Sequence, residues 1–460
     1  MAAGCGWTRK AKSNANYSWL VVLGSLCSNV LMHGISWSVG VFFVLFLGAF
    51  QQSKGKTAWT GSINTACMYG IGPVASMLTN KLGYRTTMMI GGVVAAIGLA
   101  TSALSTNIYH LYITFGFLTG CGLGICYIPT ITVLAVYFSK NLTLAVGLSS
   151  SGVGIGMFLY PPLITTLTAI FGWRGCMLIL AAITFNICVC GAIMRPKNIS
   201  DDPTRRMKDD MHDDIEYKSV AEATDDTTVK NVSTETTVFN ARVFLNLNFM
   251  IMCMTNFLYC IGHSILYVHF AEYAITIGIE PEQAAFLFSI IGFSNLVGKF
   301  IFGALSTIRH PCTNVILLYG STFAITGLLM LTVPLQNVYP LLVSFAVVFG
   351  MCSAAFGVFA PEIVRKFLGQ KDLSTGYGLL CICCAAGILP GAPIAGMMFD
   401  RTQQYAGSFY LGGTVIALSG ISMLIPYIRT RNIDTQNDDE DVSTDDFIRQ
   451  SLLDVAQNYS

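Results

Sequence analysis

Residues 147–162 read GLSSSGVGIGMFLYPP, and residues 378–393 read GLLCICCAAGILPGAP. Aligned without a gap, Gly147-Leu148 meets Gly378-Leu379, Gly156 meets Gly387 and Pro162 meets Pro393. Neither stretch holds an Asp, Glu, Lys or Arg, and each lies inside a longer uncharged run. A spanning helix needs about 20 apolar residues. Strands of a membrane barrel are about 10 residues long and alternate in polarity, which neither stretch does. Two apolar helices with the same glycine and proline punctuation, far apart in one chain, indicate an internal repeat.

The rest of the chain follows the same rule. Its 460 residues are 53% hydrophobic and 11% charged, with a mean hydropathy of +0.61. Soluble domains average about 25% charged residues, so a soluble surface is excluded. The 26 Lys and Arg nearly cancel the 25 Asp and Glu, which leaves no net-charge argument for a nucleic-acid partner. The charges are segregated: none falls between Lys12 and Lys54, Lys56 and Lys81, Arg85 and Lys140, Lys140 and Arg174, or Arg174 and Arg195. These gaps hold six helices, near 18–46, 58–79, 87–104, 110–136, 143–170 and 175–194. Six more are expected near 246–270, 283–305, 312–334, 338–360, 375–398 and 407–428. The expected fold is an all-α membrane protein of twelve transmembrane helices. It has a short N-terminus (1–17), a six-helix bundle (18–194), a flexible loop (195–245), a second six-helix bundle (246–428) and an acidic tail (429–460). Parallel halves of this kind mark the major facilitator architecture, whose site lies at the midplane between them.

Orientation follows from Lys and Arg in the connecting segments. With the N-terminus cytoplasmic, 21 fall on the cytoplasmic side and 4 outside (Lys54, Lys56, Arg174, Arg401), while Lys299 alone lies inside a span. Both termini are therefore expected in the cytoplasm, and a plasma-membrane address is the working expectation. The first apolar run is too long for a cleavable leader and is read as a signal anchor. Sequons at Asn16, Asn141, Asn198 and Asn231 all fall on the cytoplasmic side, so no N-glycan is expected. The 15 cysteines lie mostly within spans, without the two Cys-x-x-Cys pairs of a zinc site, and read as small apolar packers. No P-loop, paired catalytic carboxylates or Gly-x-Ser-x-Gly is present. Neither an enzyme, an ATP-driven pump, a cofactor nor a metal is expected.

The few polar residues inside the spans are the candidates for function. A charge at the bilayer centre costs about 2.5 kcal/mol or more, which singles out Lys299 on the eighth helix. Asn295 stands one turn earlier, with Gly292 and Gly303 on the same face. No Asp or Glu lies inside an expected span, so a substrate carboxylate is the natural partner for Lys299. A snorkelling lysine is the plainer alternative. His33, with Trp37 nearby, can bind substrate or carry a proton, since imidazole titrates near neutrality; His263 on the seventh helix is similar. Tyr69 on the second helix can donate its hydroxyl, and Phe356 and Phe359 can wall a cavity or simply pack. Gly152, Gly156, Pro162, Gly387 and Pro393 can serve as gating hinges or as ordinary close packing.

The stretch from Tyr137, Tyr-Phe-Ser-Lys-Asn-Leu-Thr-Leu-Ala-Val-Gly-Leu-Ser-Ser-Ser-Gly, resembles the loop-to-fifth-helix signature of the monocarboxylate transporter family. Met68-Tyr69-Gly70-Ile71-Gly72-Pro73, Gly172-Trp173-Arg174-Gly175 and Phe399-Asp400-Arg401-Thr402 are further similar stretches in the expected order. The resemblance implies a major facilitator fold and transport of small organic acids through the lipid bilayer. Some relatives couple lactate to a proton, and others carry aromatic amino acids, thyroid hormones, creatine or carnitine. Some need a single-span glycoprotein as an ancillary partner. The departures are informative. Asn14 to Trp19 stand where the family's first signature belongs, and only Trp19 survives from it. Asn141-Leu142 replaces a basic pair. Trp37 occupies the position of a first-helix Lys, His33 that of a Tyr, and Asn295 and Lys299 those of an eighth-helix Asp and Arg. Tyr69 matches a substrate-contacting Tyr. A neutral Asn295 cannot shuttle a proton, so facilitated carboxylate transport is expected in place of classical proton–lactate symport. Loss of the first-helix Lys also fits a zwitterionic substrate of the creatine, carnitine or amino-acid type. A non-transporting membrane sensor is the remaining alternative.

Overall fold

The computed structural model describes residues 4–138, 142–194, 245–307, 314–369 and 372–431. Most of the expected loop 195–245 and tail 429–460, and the sequons at Asn141, Asn198 and Asn231, lie outside the described residues. Every regular element among the described residues is helical, as a bilayer requires of a chain that must pair its own backbone groups. Ten helices are long and apolar enough to cross a membrane, and Val39–Phe50 is a shorter apolar one.

The first pass is Gly4–Trp37 followed by Val39–Phe50. The uncharged run expected as one helix is broken at Ser38, which leaves helical geometry (φ −91°, ψ 14°). The second pass starts at Lys54, earlier than expected, because the Ser53 side chain caps it by accepting from Lys56 N. It runs through Lys54–Gly70 into Gly72–Ser102, which turns at Gly83 into the third pass. The fourth joins Ile108–Leu111, a π-helical stretch Tyr112–Thr119 and Gly120–Tyr137. Leu142–Phe185 holds the fifth and sixth passes, divided at Gly172, and Ile187–Ile193 completes the sixth. Gly83 (φ 80°) and Gly172 (φ 69°) take backbone angles that a Cβ disfavours. Both fall between spans expected from the charges. Leu247–Thr276, Pro281–Thr307, Val315–Thr332, Tyr339–Leu368, Leu373–Thr402 and Ala406–Ser422 are the seventh to twelfth passes. Counted this way, the described helices are consistent with twelve passes.

The sequence repeat appears as repeated packing. The fifth helix lies against the first at Gly152 and Gly156, where an added Cβ would sit 2.4 Å from Leu26 O and 2.6 Å from Val30 O. The eleventh lies against the seventh at Gly387 and Gly391, where it would sit 2.3 Å from Phe257 O and 2.4 Å from Ile261 O. Two seams join the halves. The fifth meets the eighth through Gly154 and Gly292, and the second meets the eleventh through Gly55 and Gly396. The second pass is poor in apolar residues because it lies inside the molecule: Thr57, Thr60, Ser62, Asn64 and Thr65 are all buried. Asn64 Nδ2 donates to Phe115 O at 2.8 Å, and Ser36 Oγ donates to Asn64 Oδ1 at 3.2 Å. Such bonds let a polar helix sit within apolar neighbours.

Candidate functional site

A cavity of about 140 Å³ lies between the halves, with room for on the order of ten waters or one small organic solute. His33, Trp37, Tyr69, Asn295 and Lys299, singled out from the sequence on three different helices, all line it. On the first helix, Asn29, His33 and Trp37 recur every fourth residue and so share one face. Asn29 Nδ2 donates to Ser149 Oγ at 3.0 Å and Ser149 O at 3.2 Å, which fixes this face against the fifth helix. His33 Nδ1 is 3.2 Å from Asn29 O. Trp37 is the last residue before the break at Ser38.

On the eighth helix, Asn295 Nδ2 donates to Ser353 Oγ at 3.0 Å, while its Oδ1 is buried without a partner. Lys299 Nζ donates to Ser150 O at 3.0 Å, reaching across the seam to the fifth helix rather than toward its own helix end. An ammonium has three N–H donors, so this bond leaves others free to face the cavity. No Asp or Glu among the described residues lines the cavity. Around Trp37 the wall is aromatic. Its ring centroid lies 4.8 Å from Tyr267, 5.2 Å from His263 and 6.3 Å from Tyr69. Tyr127 stands 6.0 Å from Tyr69 and 5.6 Å from His33.

The repeat also organises the lining. Asn29, His33, Trp37, Tyr69 and Tyr127 line it from the first half, and Tyr259, His263, Tyr267, Lys299 and Gly357, each 230 positions later, line it from the second. Val146, Val153 and Met157 are matched 231 positions later by Tyr377, Cys384 and Ile388. The cavity is thus a pseudo-twofold surface with unequal chemistry, carrying Lys299 where its counterpart is Tyr69. Asn29, Tyr127, Tyr259, Tyr267 and Tyr377 were missed by the sequence reading. A helical spacing of four from His33 and His263 would have found Asn29, Tyr259 and Tyr267. Phe356 lines the cavity, whereas Phe359 packs against Phe302 with ring centroids 5.5 Å apart. Gly152, Gly156 and Gly387 stand at the helix contacts described above. Pro162 and Pro393 lie inside their helices, where a missing N–H weakens the backbone ladder.

Two repeated helical halves around a polar-spotted central cavity define a membrane carrier of the major facilitator class. A family model described as Major Facilitator Superfamily matches residues 26–306 and 252–453. A bacterial homolog to the human lysosomal transporter Spinster, solved in an inward-facing and unoccupied conformation, shares the fold. Its TM-score is 0.65 and its identity 14%, over 89% of this chain and 95% of that one. Monocarboxylate transporter 12 of Rattus norvegicus is 32% identical over 429 residues, covering 92% of this chain and 88% of that protein. Monocarboxylate transporter 13 of Rattus norvegicus is 30% identical, covering 91% of each. The chain belongs to the monocarboxylate transporter family of the major facilitator superfamily. It is a multi-pass membrane transporter and not an enzyme.

Proposed function

We propose that this transporter carries a small carboxylate-bearing solute across the plasma membrane by alternating access, as a facilitator rather than a proton–lactate symporter. Both termini face the cytoplasm in this reading, on the Lys and Arg count. The observation that carries it is the Lys299 ammonium, set in a cavity with no described carboxylate to neutralise it. A bound carboxylate supplies the missing countercharge through charge-assisted hydrogen bonds. Asn295 stays neutral at every pH and takes no proton from the substrate. As the halves move, the fifth and eleventh helices bend near Pro162 and Pro393, with Gly152, Gly156 and Gly387 keeping the backbones close.

Tracer uptake of a panel of carboxylates in oocytes, with pH and sodium varied, tests the reading. Uptake should be equal at about pH 6 and about pH 7.5, values that bracket the ordinary imidazole pKa. Strong acid stimulation that persists in His33→Ala would sink facilitated transport and His33-mediated coupling together. Absence of any tracer counterflow in proteoliposomes would instead favour a sensor.

A second reading, a zwitterionic substrate, is favoured by the rings around Trp37. An ammonium or guanidinium group over an indole face gains about 0.5–2 kcal/mol. Trp37→Ala should then weaken uptake of a zwitterion by about 2- to 30-fold and spare a simple monoanion. Equal loss of both substrates would reduce Trp37 to a packing residue.

A further inference from the structure

Beyond Trp37, toward the end of the bundle that holds Lys54, a small space is lined by Val39, Gly61, Ser62 and Thr65, and Lys54 begins the second pass about two turns from Ser62. The residues that meet at Lys54 come from the second, seventh and eleventh helices and from Tyr405 before the twelfth, and so from both halves. Lys54 Nζ pairs with Glu272 Oε1 at 2.8 Å, with both side chains only 14% and 13% exposed. The same ammonium lies 3.7 Å from the Phe399 ring centroid and 4.6 Å from that of Tyr405. Asp400 accepts from Lys54 N and Gly55 N, each at 2.9 Å. Its carboxylate thus sits on the N-terminus of the second pass, where the helix dipole favours a negative charge. Glycines allow the backbones to meet: a Cβ on Gly396 would lie 2.7 Å from Gly55 Cα.

The equivalent place on the other seam is built differently. Ala169 and Ala285, 231 and 230 positions from Asp400 and Gly55, line a mostly apolar cleft of about 280 Å³ with Val41, Ile164 and Ile275, and Glu282 is the one charged residue in its lining. One seam is tied by paired charges, and its counterpart carries no described ion pair.

We infer that Lys54, Glu272 and Asp400 form a one-sided ionic latch that holds the transport pathway shut on its outer face, and that outward opening is the parting of this seam. The charges are too well shielded to be ordinary surface pairs, and each contact joins the second pass to the opposite half. The halves cannot separate at this end without breaking all of them together. The face on which the latch lies follows from the orientation proposed above, so the assignment of "outer" rests on that reading, while the latch itself does not.

The test uses the full chain with Ser62→Cys as a reporter in the space beyond Trp37, labelled by a membrane-impermeant methanethiosulfonate and compared with the same chain lacking the reporter. Lys54→Gln and Glu272→Gln, which break the ion pair, and Asp400→Asn, which removes the charge from its two backbone hydrogen bonds, should each raise labelling from outside by about fivefold or more, the factor given by about 1 kcal/mol. The exchange of Lys54→Glu with Glu272→Lys should return labelling toward the parent level, which a merely structural role would not do. Unchanged labelling in all three single variants would overturn the latch. A rise seen only in inside-out vesicles would instead overturn the proposed orientation and leave the latch standing. As a measurement independent of the reporter, Lys54→Cys with Glu272→Cys, bridged by a short reducible bis-thiol reagent, should lose uptake and recover it on reduction. Full uptake in the bridged protein would show that the seam need not part.

Discussion

Lys299→Gln is expected to lose most carboxylate uptake, through a rise in KM of about 10- to 150-fold, the worth of a hydrogen bond to a charged group at about 1.5–3 kcal/mol. The ammonium is held by a single described hydrogen bond to Ser150 O at 3.0 Å, and the cavity offers it no described acid. Without substrate its charge is poorly compensated. With substrate, a carboxylate can take the remaining donors while the Ser150 bond keeps the side chain aimed across the seam. Glutamine is one atom shorter and keeps a hydrogen-bond donor but removes the charge, so Lys299→Met, which has the reach of glutamine without charge or donor, should show a loss at least as large. Lys299→Arg should restore part of the uptake, since a guanidinium also meets a carboxylate. Uptake kinetics at matched surface expression decide the matter: an unchanged KM in Lys299→Gln would remove Lys299 from the binding site.

Gly387→Leu is expected to remove nearly all folded protein from the cell surface, whereas Gly378→Ala on the same helix leaves it unchanged. A Cβ at Gly387 would lie 2.3 Å from Phe257 O and 3.1 Å from Cys260 Cβ, so the seventh and eleventh helices must part to admit it. Overpacking of this kind commonly costs about 1–3 kcal/mol, and here the obstructing atom is backbone, which cannot rotate aside. At Gly378 nothing lies within 4 Å of the added atom, and alanine is the better helix former by about 1 kcal/mol. Surface biotinylation of the two variants separates them. Normal surface levels of Gly387→Leu would mean that the two helices do not pack at this distance in the membrane.

This contrast shows where the sequence could be read and where it could not. Gly147 and Gly378 opened the alignment, and Gly156 and Gly387 extended it. The first pair faces open space and the second is wedged against a neighbouring helix, yet all four are the same letter at matching positions. The spans were legible because each charge inside a bilayer is costly, so the uncharged runs had to be the helices. The break at Ser38 was not, because no glycine or proline marks it and serine is ordinary within membrane helices. The second pass began earlier and is more polar than a hydropathy reading expects, because its polar side chains are buried against protein rather than exposed to lipid. In the cavity, Lys299, Asn295 and His33 stood out against an apolar background. Tyr127 and Tyr377 did not, since a tyrosine in a span looks the same whether it lines a cavity or packs between helices.

The absence of a proton-accepting side chain at Asn295 has an electrical consequence. A monoanion that crosses beside a permanently fixed lysine, with no proton travelling in company, takes its own negative charge from one side of the membrane to the other. Each elementary charge is worth about 2.3 kcal/mol per 100 mV of membrane potential. An inside-negative voltage of about 100 mV would therefore favour export over import of such an anion by roughly 50-fold at equilibrium. A zwitterion carries no net charge and would distribute without regard to voltage. The current that accompanies uptake thus distinguishes the two substrate classes: for an anion the resting potential adds to the concentration gradient in setting the direction of flow, and for a zwitterion the gradient acts alone.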